Sequence, residues 1–264
     1  MNSILNIGKT GLHATQRKMD ALADDIANVN TYGYKRKDIS FQELLTNQIH
    51  ENDVILSDNA NNTSINMGTK SGVSSVNFQQ GAIIDTPREF DMAIEGQGFF
   101  GIFDGEGNLA LTRDGNFHLN PDGSITNASG YYLSMDYELE PEEWSNEKVV
   151  ITPDGRILQN FQDEDMEEQG QVEVARVVLY HPESLNSLIP LGEGRYLPNA
   201  NAQVYNSIDN EEGFGNIRQY ALEQSNVDLA KSLTEMIISQ RAYSLSMKTI
   251  QTTDEIMQMT NNIK

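Results

Sequence analysis

A glycine-rich sextet is the segment of this sequence that most directly suggests chemistry. Gly96-Gln97-Gly98-Phe99-Phe100-Gly101 matches the GxGxxG pattern with which many proteins hold the pyrophosphate of a dinucleotide. That mechanism requires a helix to begin directly after the glycines, because the helix N-terminus binds the phosphates. Here Ile102-Phe103-Asp104-Gly105 follows, which predicts a strand and a turn. The sequence therefore argues against a nucleotide site, and we predict no cofactor.

Other groups that could support catalysis or bind metal each lack a second component. The acidic run at residues 163–168 lacks the alternating ligands and central glycine of an EF-hand, so we interpret it as a solvated loop. No serine lies in a nucleophile elbow, and the chain has no cysteine. A glycosidase-type pair of carboxylates remains open, but nothing singles one out. The histidines are scattered without partners at metal-ligand spacing: His13, His50, His118 and His181. We predict a protein without catalytic or metal-binding residues.

The net charge of −21 is concentrated in the middle of the chain. Residues 1–45 carry six basic and five acidic side chains, and residues 222–264 carry four and five. The remaining residues, 46–221, hold eight basic and 29 acidic side chains. Such a middle repels nucleic acid, whose binding needs Lys and Arg. Neutral ends can pack against copies of themselves without accumulating repulsion.

The N-terminal residues carry a heptad pattern that predicts a long helix over residues 3–30. The positions step by three and four along a narrow stripe, as in helices that pack against another helix. Its stronger members are Leu5, Leu12, Met19, Leu22, Ile26 and Val29, and Gly8 and Thr15 are weaker ones. We expect the helix to end within residues 30–33, where Gly33 can adopt the left-handed conformation.

The C-terminal residues repeat this design and predict a helix over residues 226–261. Ser225, three residues before Asp228, has the form of a capping box. Polar Gln240 and Asp254 fall within the stripe, a feature that in coiled coils specifies register. The stripe comprises Leu229, Leu233, Met236, Gln240, Tyr243, Met247, Ile250, Asp254 and Met257.

The residues between the helices predict a mostly antiparallel β domain. Four Asp-Gly pairs separate short alternating runs, and Asp-Gly is a strong hairpin signal; they are Asp104-Gly105, Asp114-Gly115, Asp122-Gly123 and Asp154-Gly155. We therefore predict an α+β fold. Residues 1–33 and 222–264 would pair as a coiled-coil-like helical assembly domain, residues 34–69 would form a turn and an extended polar linker, and residues 70–221 a β-rich outer domain.

Several of these segments resemble the flagellar rod and hook protein family. Residues 9–36 resemble its N-terminal signature, and residues 221–258 its C-terminal signature. Residues 91–100 and 112–117 are similar to motifs of its shared β domain. The signature residues are Ala27, Asn28, Val29, Asn30, Thr31, Gly33, Tyr34, Lys35 and Arg36 at one end, and Ser225, Asn226, Val227, Asp228, Gln240, Arg241, Ala242 and Tyr243 at the other. One departure is Ala23-Asp24-Asp25-Ile26, where relatives tend to have Asn-Asn.

This resemblance implies a structural subunit of the flagellar basal body. The terminal helices would stack with copies of the chain and with neighbouring rod and hook axial proteins into a hollow tube that transmits torque. Export would use the flagellum's own apparatus, which suits a sequence without a cleaved signal peptide or a membrane-inserted segment. The continuous N-terminal match favours the distal rod over the proximal rod, and the middle of the chain is too short for a hook subunit with an extra outer domain.

Two other functions are alternatives to that of a structural subunit. A β-rich carbohydrate-binding or hydrolytic domain would need clustered polar or aromatic groups on strands, and the sole tryptophan, Trp144 beside Glu142-Glu143, is a poor candidate for such a cluster. The basic cluster Lys35-Arg36-Lys37 could also suggest nucleic-acid binding, but its small size and the acidic remainder favour a local salt-bridging turn.

Overall fold

The computed structural model describes residues 2–43, 47–48, 64–65, 69–139, 149–161, 170–209 and 213–262. These residues form two α-helices, α1 (Asn2–Ala27) and α2 (Leu229–Asn262), and 21 β-strands. The acidic run at 163–168, Trp144 with its neighbouring glutamates, and His50 lie outside the described residues. The same is true of most of the predicted linker.

The strands are short and fill the chain between the two helices. The first eleven are β1 (Lys37–Glu43), β2 (Asn47–Gln48), β3 (Ser64–Ile65), β4 (Thr69–Val76), β5 (Ile83–Asp85), β6 (Met92–Glu95), β7 (Phe99–Phe103), β8 (Leu109–Thr112), β9 (Phe117–Leu119), β10 (Ile125–Asn127) and β11 (Tyr132–Leu133). The remainder are β12 (Met135–Tyr137), β13 (Val149–Ile151), β14 (Arg156–Phe161), β15 (Gly170–Val177), β16 (Leu179–Pro182), β17 (Leu188–Gly192), β18 (Arg195–Pro198), β19 (Val204–Asn206), β20 (Asn216–Gln219) and β21 (Ala221–Glu223). The predicted α+β class, with terminal helices around an antiparallel β middle, is confirmed.

The chain divides into two compact units. The first, called here the helical unit, comprises Met1–Ala27, Lys37–Asn77 and Asp228–Lys264. The second, the β unit, comprises Asn28–Arg36 and Phe78–Val227. The division differs from the predicted boundaries at each of them. Residues 28–33 and 222–227 belong to the β unit rather than to the terminal helices, and residues 70–77 belong to the helical unit rather than to the β domain. Residues 37–43 form a strand rather than a linker.

In the helical unit α1 packs against α2 and against the antiparallel pair β1–β4. Helix α1 ends at Ala27, three residues before the predicted end, because the chain turns there and the Thr31 N–H donates to the Asn28 carbonyl (3.1 Å). Val29, a predicted seam residue, therefore lies beyond the helix. Thr10 on α1 accepts a hydrogen bond from the Thr69 N–H at the start of β4 (3.3 Å).

The β unit is built on a nine-stranded antiparallel sheet. Its main path runs β17-β18-β8-β7-β11-β10-β9, with β16 joined to β7 and β19 to β16. A four-stranded sheet, β12-β15-β14-β13, and the pairs β20–β6 and β21–β5 complete the unit. Large apolar side chains of these strands, such as Phe100, Ile102 and Ile157, are fully buried and form one core.

Three of the four Asp-Gly pairs form the predicted hairpin turns. They join β7 to β8, β9 to β10 and β13 to β14, each of which pairs antiparallel. The prediction was wrong for Asp114-Gly115, which lies between β8 and β9, two strands that do not pair. There the Gly115 carbonyl accepts a hydrogen bond from the Met92 N–H (3.0 Å), and a Cβ on Gly115 would stand 1.6 Å from the Met92 carbonyl oxygen. This pair is a strand crossing that only glycine fits.

Candidate assembly surface

Most of the fully buried side chains on the paired helices α1 and α2 are small. Ala14 and Ala21 are buried on α1, and Ser232, Ser239 and Thr253 are buried on α2. A Cβ on Gly8 would stand 2.9 Å from Ile250 Cγ1, so the backbone of α1 approaches α2 closely at that point. An ion pair between Lys18 and Glu235 (3.5 Å) lies at the edge of the contact. Small residues allow the two helices to pack at short range.

The predicted seam on α1 agrees with this contact better than the predicted seam on α2. Leu22 is buried, and the other helical members are half-buried: Leu5, Leu12, Met19 and Ile26. On α2 four members are half-buried, namely Met236, Tyr243, Ile250 and Met257. The other five are exposed, namely Leu229, Leu233, Gln240, Met247 and Asp254. The buried stripe of α2 is therefore displaced from the predicted one. Its fully buried positions 232, 239 and 253 each lie one residue before a predicted position.

The sequence signal that marks this contact is a seven-residue repeat of small hydroxyl side chains. Ser232, Ser239, Ser246 and Thr253 recur at that interval on α2. A search for large apolar residues misses these positions. Thr253 can be buried and Ser246 half-buried because each hydroxyl donates a hydrogen bond to the carbonyl four residues earlier (2.7 and 3.0 Å). The part that the predicted seam residues play between subunits stays a prediction.

Helix α2 also presents an unusual amount of exposed apolar surface. Leu245 is 67 % exposed and Ile238 is 59 % exposed, although both side chains are large and apolar. Other large apolar side chains of this helix are at least one third exposed: Leu229, Leu233, Ile237, Met247, Ile256 and Met259. So many exposed large apolar side chains on one helix indicate a protein interaction site rather than the surface of a free monomer.

The signature residues next to the helices form two connectors, defined here as residues 28–36 and 221–228. In the first, Gly33 has φ of +66°, and a Cβ there would lie 2.4 Å from the backbone of Arg113 and Asp114. Its N–H donates to the carbonyl of Glu223 (2.8 Å). Gly33 is thus left-handed as predicted, but it permits a close backbone approach six residues after α1 ends, instead of closing the helix.

Three charged side chains are buried together between the connectors and the β unit core. Lys35 and Glu223 are each 1 % exposed and form an ion pair of 2.6 Å. Arg113, 6 % exposed, contacts the other oxygen of the same carboxylate at 3.3 Å. The Arg113 guanidinium also lies 5.2 Å from the centre of the Phe99 ring. The predicted local turn is therefore wrong for Lys35, whose partner stands 188 positions away.

Burial changes the acid–base behaviour of both cations in this cluster. Removal from water lowers the pKa of Lys35 from its ordinary value of 10.5, and the Glu223 carboxylate partly offsets this. Burial likewise lowers the pKa of Arg113. Of the other basic residues, Lys37 pairs with Asp24 (3.0 Å) at an exposed position, and Arg36 donates its backbone N–H to Asn226 Oδ1 (2.7 Å).

The start of α2 is capped by Asp228 and not by the predicted Ser225 box. Asp228 Oδ1 accepts a hydrogen bond from the Lys231 N–H (3.1 Å), the third residue of a helix that begins at Leu229. Ser225 instead accepts from the Val227 N–H (3.3 Å) within the connector. Of the other signature residues on α2, Gln240 and Arg241 are exposed and Ala242 is half-buried.

The segments that suggested chemistry have structural roles in the described part of the chain. Gly96 and Gly98 take positive φ values of 117° and 126° in the turn between β6 and β7. A strand and not a helix follows, so the phosphate-binding geometry is missing. Among the described residues, no three His, Asp or Glu side chains are grouped as a metal ion requires.

Three protein-family models match the chain in the order of its elements. "Flagella basal body rod protein" covers residues 5–35, "Flagellar hook protein FlgE/F/G D1 domain" covers 93–174, and "Flagellar basal body rod FlgEFG protein C-terminal" covers 218–263. The flagellar basal-body rod protein FlgG of Borreliella burgdorferi is 31 % identical over 97 % of this chain and 96 % of its own length. The chain belongs to the flagellar basal-body rod protein family. FlgG of Bacillus subtilis is 30 % identical over 97 % of both chains. The hook-basal body complex protein FlhP of the same species is 27 % identical, also over 97 % of both.

Membership of the rod family makes this chain a structural subunit of the flagellar basal body. The N-terminal family match covers most of α1 and reaches Lys35, and the C-terminal match includes Glu223 and nearly all of α2. The buried ion pair thus joins the two matched terminal segments of this rod protein. In the described residues, neither helix of the rod protein has the length and apolar character that crossing a membrane requires.

Proposed function

We propose that this subunit polymerises through its terminal helices into a hollow tube, as part of the distal rod, and that the tube transmits torque to hook and filament. The observation that carries this proposal is the exposed apolar surface of α2. Relatives named FlgG align over nearly their whole length, which supports the distal position. The acidic β unit would face outward, while the neutral ends would pack together.

Burial of the α2 surface against neighbouring subunits supplies a driving force for polymerisation. A fully buried Leu or Ile is worth about 1.5–3 kcal/mol relative to an exposed one, so a half-exposed side chain retains roughly 1 kcal/mol of that gain. Several such residues on one helix, among them Ile237, Ile238 and Leu245, provide an interaction energy that a monomer leaves unused. The helices can then pair in a coiled-coil-like manner between subunits.

The partners follow from this mode of assembly. Copies of the same chain, together with adjacent rod and hook axial proteins, would cover α1 and α2. Export would proceed through the flagellar export apparatus without cleavage of a signal peptide. A purely mechanical subunit needs no catalysis, cofactor or metal. We therefore expect neither a cofactor nor a metal to bind, and stoichiometric metal retained through dialysis would contradict this expectation.

The proposal is tested by placing a charge on the exposed apolar surface. Leu233 is 44 % exposed, so Leu233→Glu is tolerated in the free subunit but places an unpaired carboxylate in a packed interface, at several kcal/mol per contact. Cells carrying this variant should make soluble protein and stop building the flagellum before the hook. Electron microscopy of purified basal bodies and a motility assay measure the outcome.

Val150→Glu is the matched control, because Val150 is 40 % exposed on strand β13, which belongs to the β unit and not to the helical unit. It should leave rods and motility close to normal. Normal filaments in the Leu233→Glu strain would contradict assembly through this helix. Unfolding of the β unit by Leu233→Glu would show instead that α2 belongs to one common core.

A further inference from the structure

One carboxylate stands at the point where both connectors meet the β unit. The Glu223 side chain accepts hydrogen bonds from Lys35 Nζ in the first connector (2.6 Å) and from the Gly81 N–H (2.8 Å). Its second oxygen accepts from Arg113 (3.3 Å), which follows strand β8. We propose that Glu223 closes a clasp, formed with Lys35 and Arg113, through which the two connectors are held on the β unit as a single cooperative element.

The charges of the clasp make its members dependent on one another. Two cations share one anion, and all three side chains are at most 6 % exposed. Loss of the carboxylate leaves two buried cations without a counter-ion, and loss of Lys35 removes the link to the first connector. Breaking a buried ion pair costs far more than an exposed pair contributes, because the remaining charge stays desolvated. Neither connector keeps its full set of contacts when the other is released.

Backbone and amide hydrogen bonds bind the connectors to each other directly. The Gly33 N–H donates to the Glu223 carbonyl (2.8 Å), and the Asn226 N–H donates to the Tyr34 carbonyl (3.4 Å). Asn226 Oδ1 accepts from the Arg36 N–H (2.7 Å), and its Nδ2 donates to the Gln79 carbonyl (2.9 Å). The same Gln79 carbonyl accepts from Lys35 Nζ (2.8 Å). One donor from each connector, Lys35 and Asn226, is therefore bound to the same carbonyl of Gln79, which lies before β5.

The consequence is that order in the two connectors is gained or lost together. Helix α1 ends at Ala27 and α2 begins at Leu229, so every covalent link from the β unit to either helix passes through or beside a clasped segment. The alternative is that each connector is held independently by its own strand contacts. In that case the Lys35–Glu223 pair is a local feature of the first connector. The two views differ in what happens to residues 221–227 when Lys35 is changed.

Hydrogen exchange measured by mass spectrometry on the full-length Lys35→Met variant separates these views. We expect peptides covering residues 28–36 and residues 221–227 to exchange at least about tenfold faster together, while peptides from strands β7 and β8 keep their protection. Lys37→Met is the matched control, since Lys37 is a nearby lysine paired with Asp24 at an exposed position. It should change neither connector. Faster exchange in residues 28–36 alone, or no change in either connector, overturns the proposal.

A second variant decides the case in which Lys35→Met unfolds the whole β unit. Asn226→Ala removes the neutral side-chain hydrogen bonds to the Arg36 N–H and the Gln79 carbonyl and leaves the three charges in place. The clasp requires that residues 28–36 and 221–227 again lose protection together in this variant, with β7 and β8 unchanged. Loss confined to one connector contradicts the proposal.

Discussion

At the residue scale, burial decides whether the pKa of an aspartate in the β unit is raised above its ordinary value. Asp114 and Asp122 both belong to Asp-Gly pairs, yet the hydrogen bond from Ser124 lowers the pKa of Asp122, while burial raises the pKa of Asp114 to about 6. The nearby Asp91 carboxylate raises it further, and the Asn116 N–H and Arg88 oppose the change. The pKa of the aspartate in the same dipeptide is therefore raised in one environment and lowered in the other.

Asp114 makes the stability of the β unit depend on pH. Its folded-state pKa lies above the unfolded value of 3.8, so ionisation opposes folding. This unfavourable contribution is absent below about pH 4, grows between about pH 4 and pH 6, and is complete above that range. We expect Asp114→Asn, which retains an acceptor for the Asn116 N–H, to raise the free energy of unfolding by up to about 3 kcal/mol at pH 7.

Urea unfolding of the variant and the parent at two pH values measures this effect. Near pH 3 the two proteins should have nearly equal stability, because Asp114 is then mostly protonated in both the folded and unfolded states. An equal gain at both pH values would mean that the substitution acts through packing and not through ionisation.

At the element scale, glycine positions show how similar local sequences build different elements. Gly105 follows Asp104 in the hairpin between β7 and β8, and a Cβ there would meet nothing within 4 Å. Gly115 follows Asp114 at a crossing between strands that do not pair, and a Cβ there would collide with the Met92 carbonyl. The first glycine serves a turn in open solvent, and the second permits two backbone segments to touch.

Alanine substitution at these two glycines should give sharply different results. Gly115→Ala forces β6 away from residues 114–116 and should lower the free energy of unfolding by about 3 kcal/mol, the upper range for overpacking. Gly105→Ala meets open space and should change it by less than about 0.5 kcal/mol. Thermal or urea unfolding of the full chain measures both, and equal effects would contradict the assigned crossing.

Helix α2 has two faces of different character. Small residues are buried within the chain, and large apolar side chains are left available to other subunits. Its hydroxyl repeat is buried at Ser239 and Thr253, and Ser246 of the repeat lies 3.9 Å from a Cβ built on Gly11 of α1, while larger side chains such as Leu245 remain exposed. A single globular core would place the large side chains inside, since they gain most from burial. This inversion is expected for a helix whose principal partner is another subunit.

At the scale of the whole molecule, the two units differ in how much of their surface the single chain can bury. The β unit has a continuous core of large apolar side chains, whereas the helical contact rests on small ones. Ordering each residue costs about 1–2 kcal/mol of backbone entropy, which small side chains offset poorly. The terminal helices of an isolated subunit should therefore open far more readily than the β unit.

Limited proteolysis of dilute subunit should remove both terminal helices and leave a fragment near residues 28–227. Hydrogen exchange should show low protection in α1 and α2 and high protection in strands β6 and β7. The same helices should become protected in purified basal bodies, where neighbouring subunits cover them. Equal protection of the helices and the β strands in the dilute subunit would indicate one globule, contrary to this expectation.

The sequence by itself determined the features that depend on neighbours a few positions away. Heptad spacing placed both terminal helices to within a few residues, because a helix is stabilised by contacts that recur every three or four positions. Asp-Gly pairs located three hairpins, and in two of them the glycine, Gly123 or Gly155, takes the positive φ that a tight turn needs. The strand and turn after Gly96 were also evident, and with them the absence of a helix that could bind a dinucleotide. Signature residues at the two ends indicated the family.

Only the tertiary structure decided which distant residues meet. Lys35 looked like part of an exposed basic turn, and nothing near it in the chain indicates that it is buried against Glu223 and Arg113. The stripe of α2 that contacts α1 was likewise displaced, because small hydroxyl residues give no periodic apolar signal although they permit the closest packing. The physical reason is the same in both cases. Local propensities act along the chain, whereas the partner of a buried charge or a small side chain is set by the path of a chain that brings residues 188 positions apart into contact.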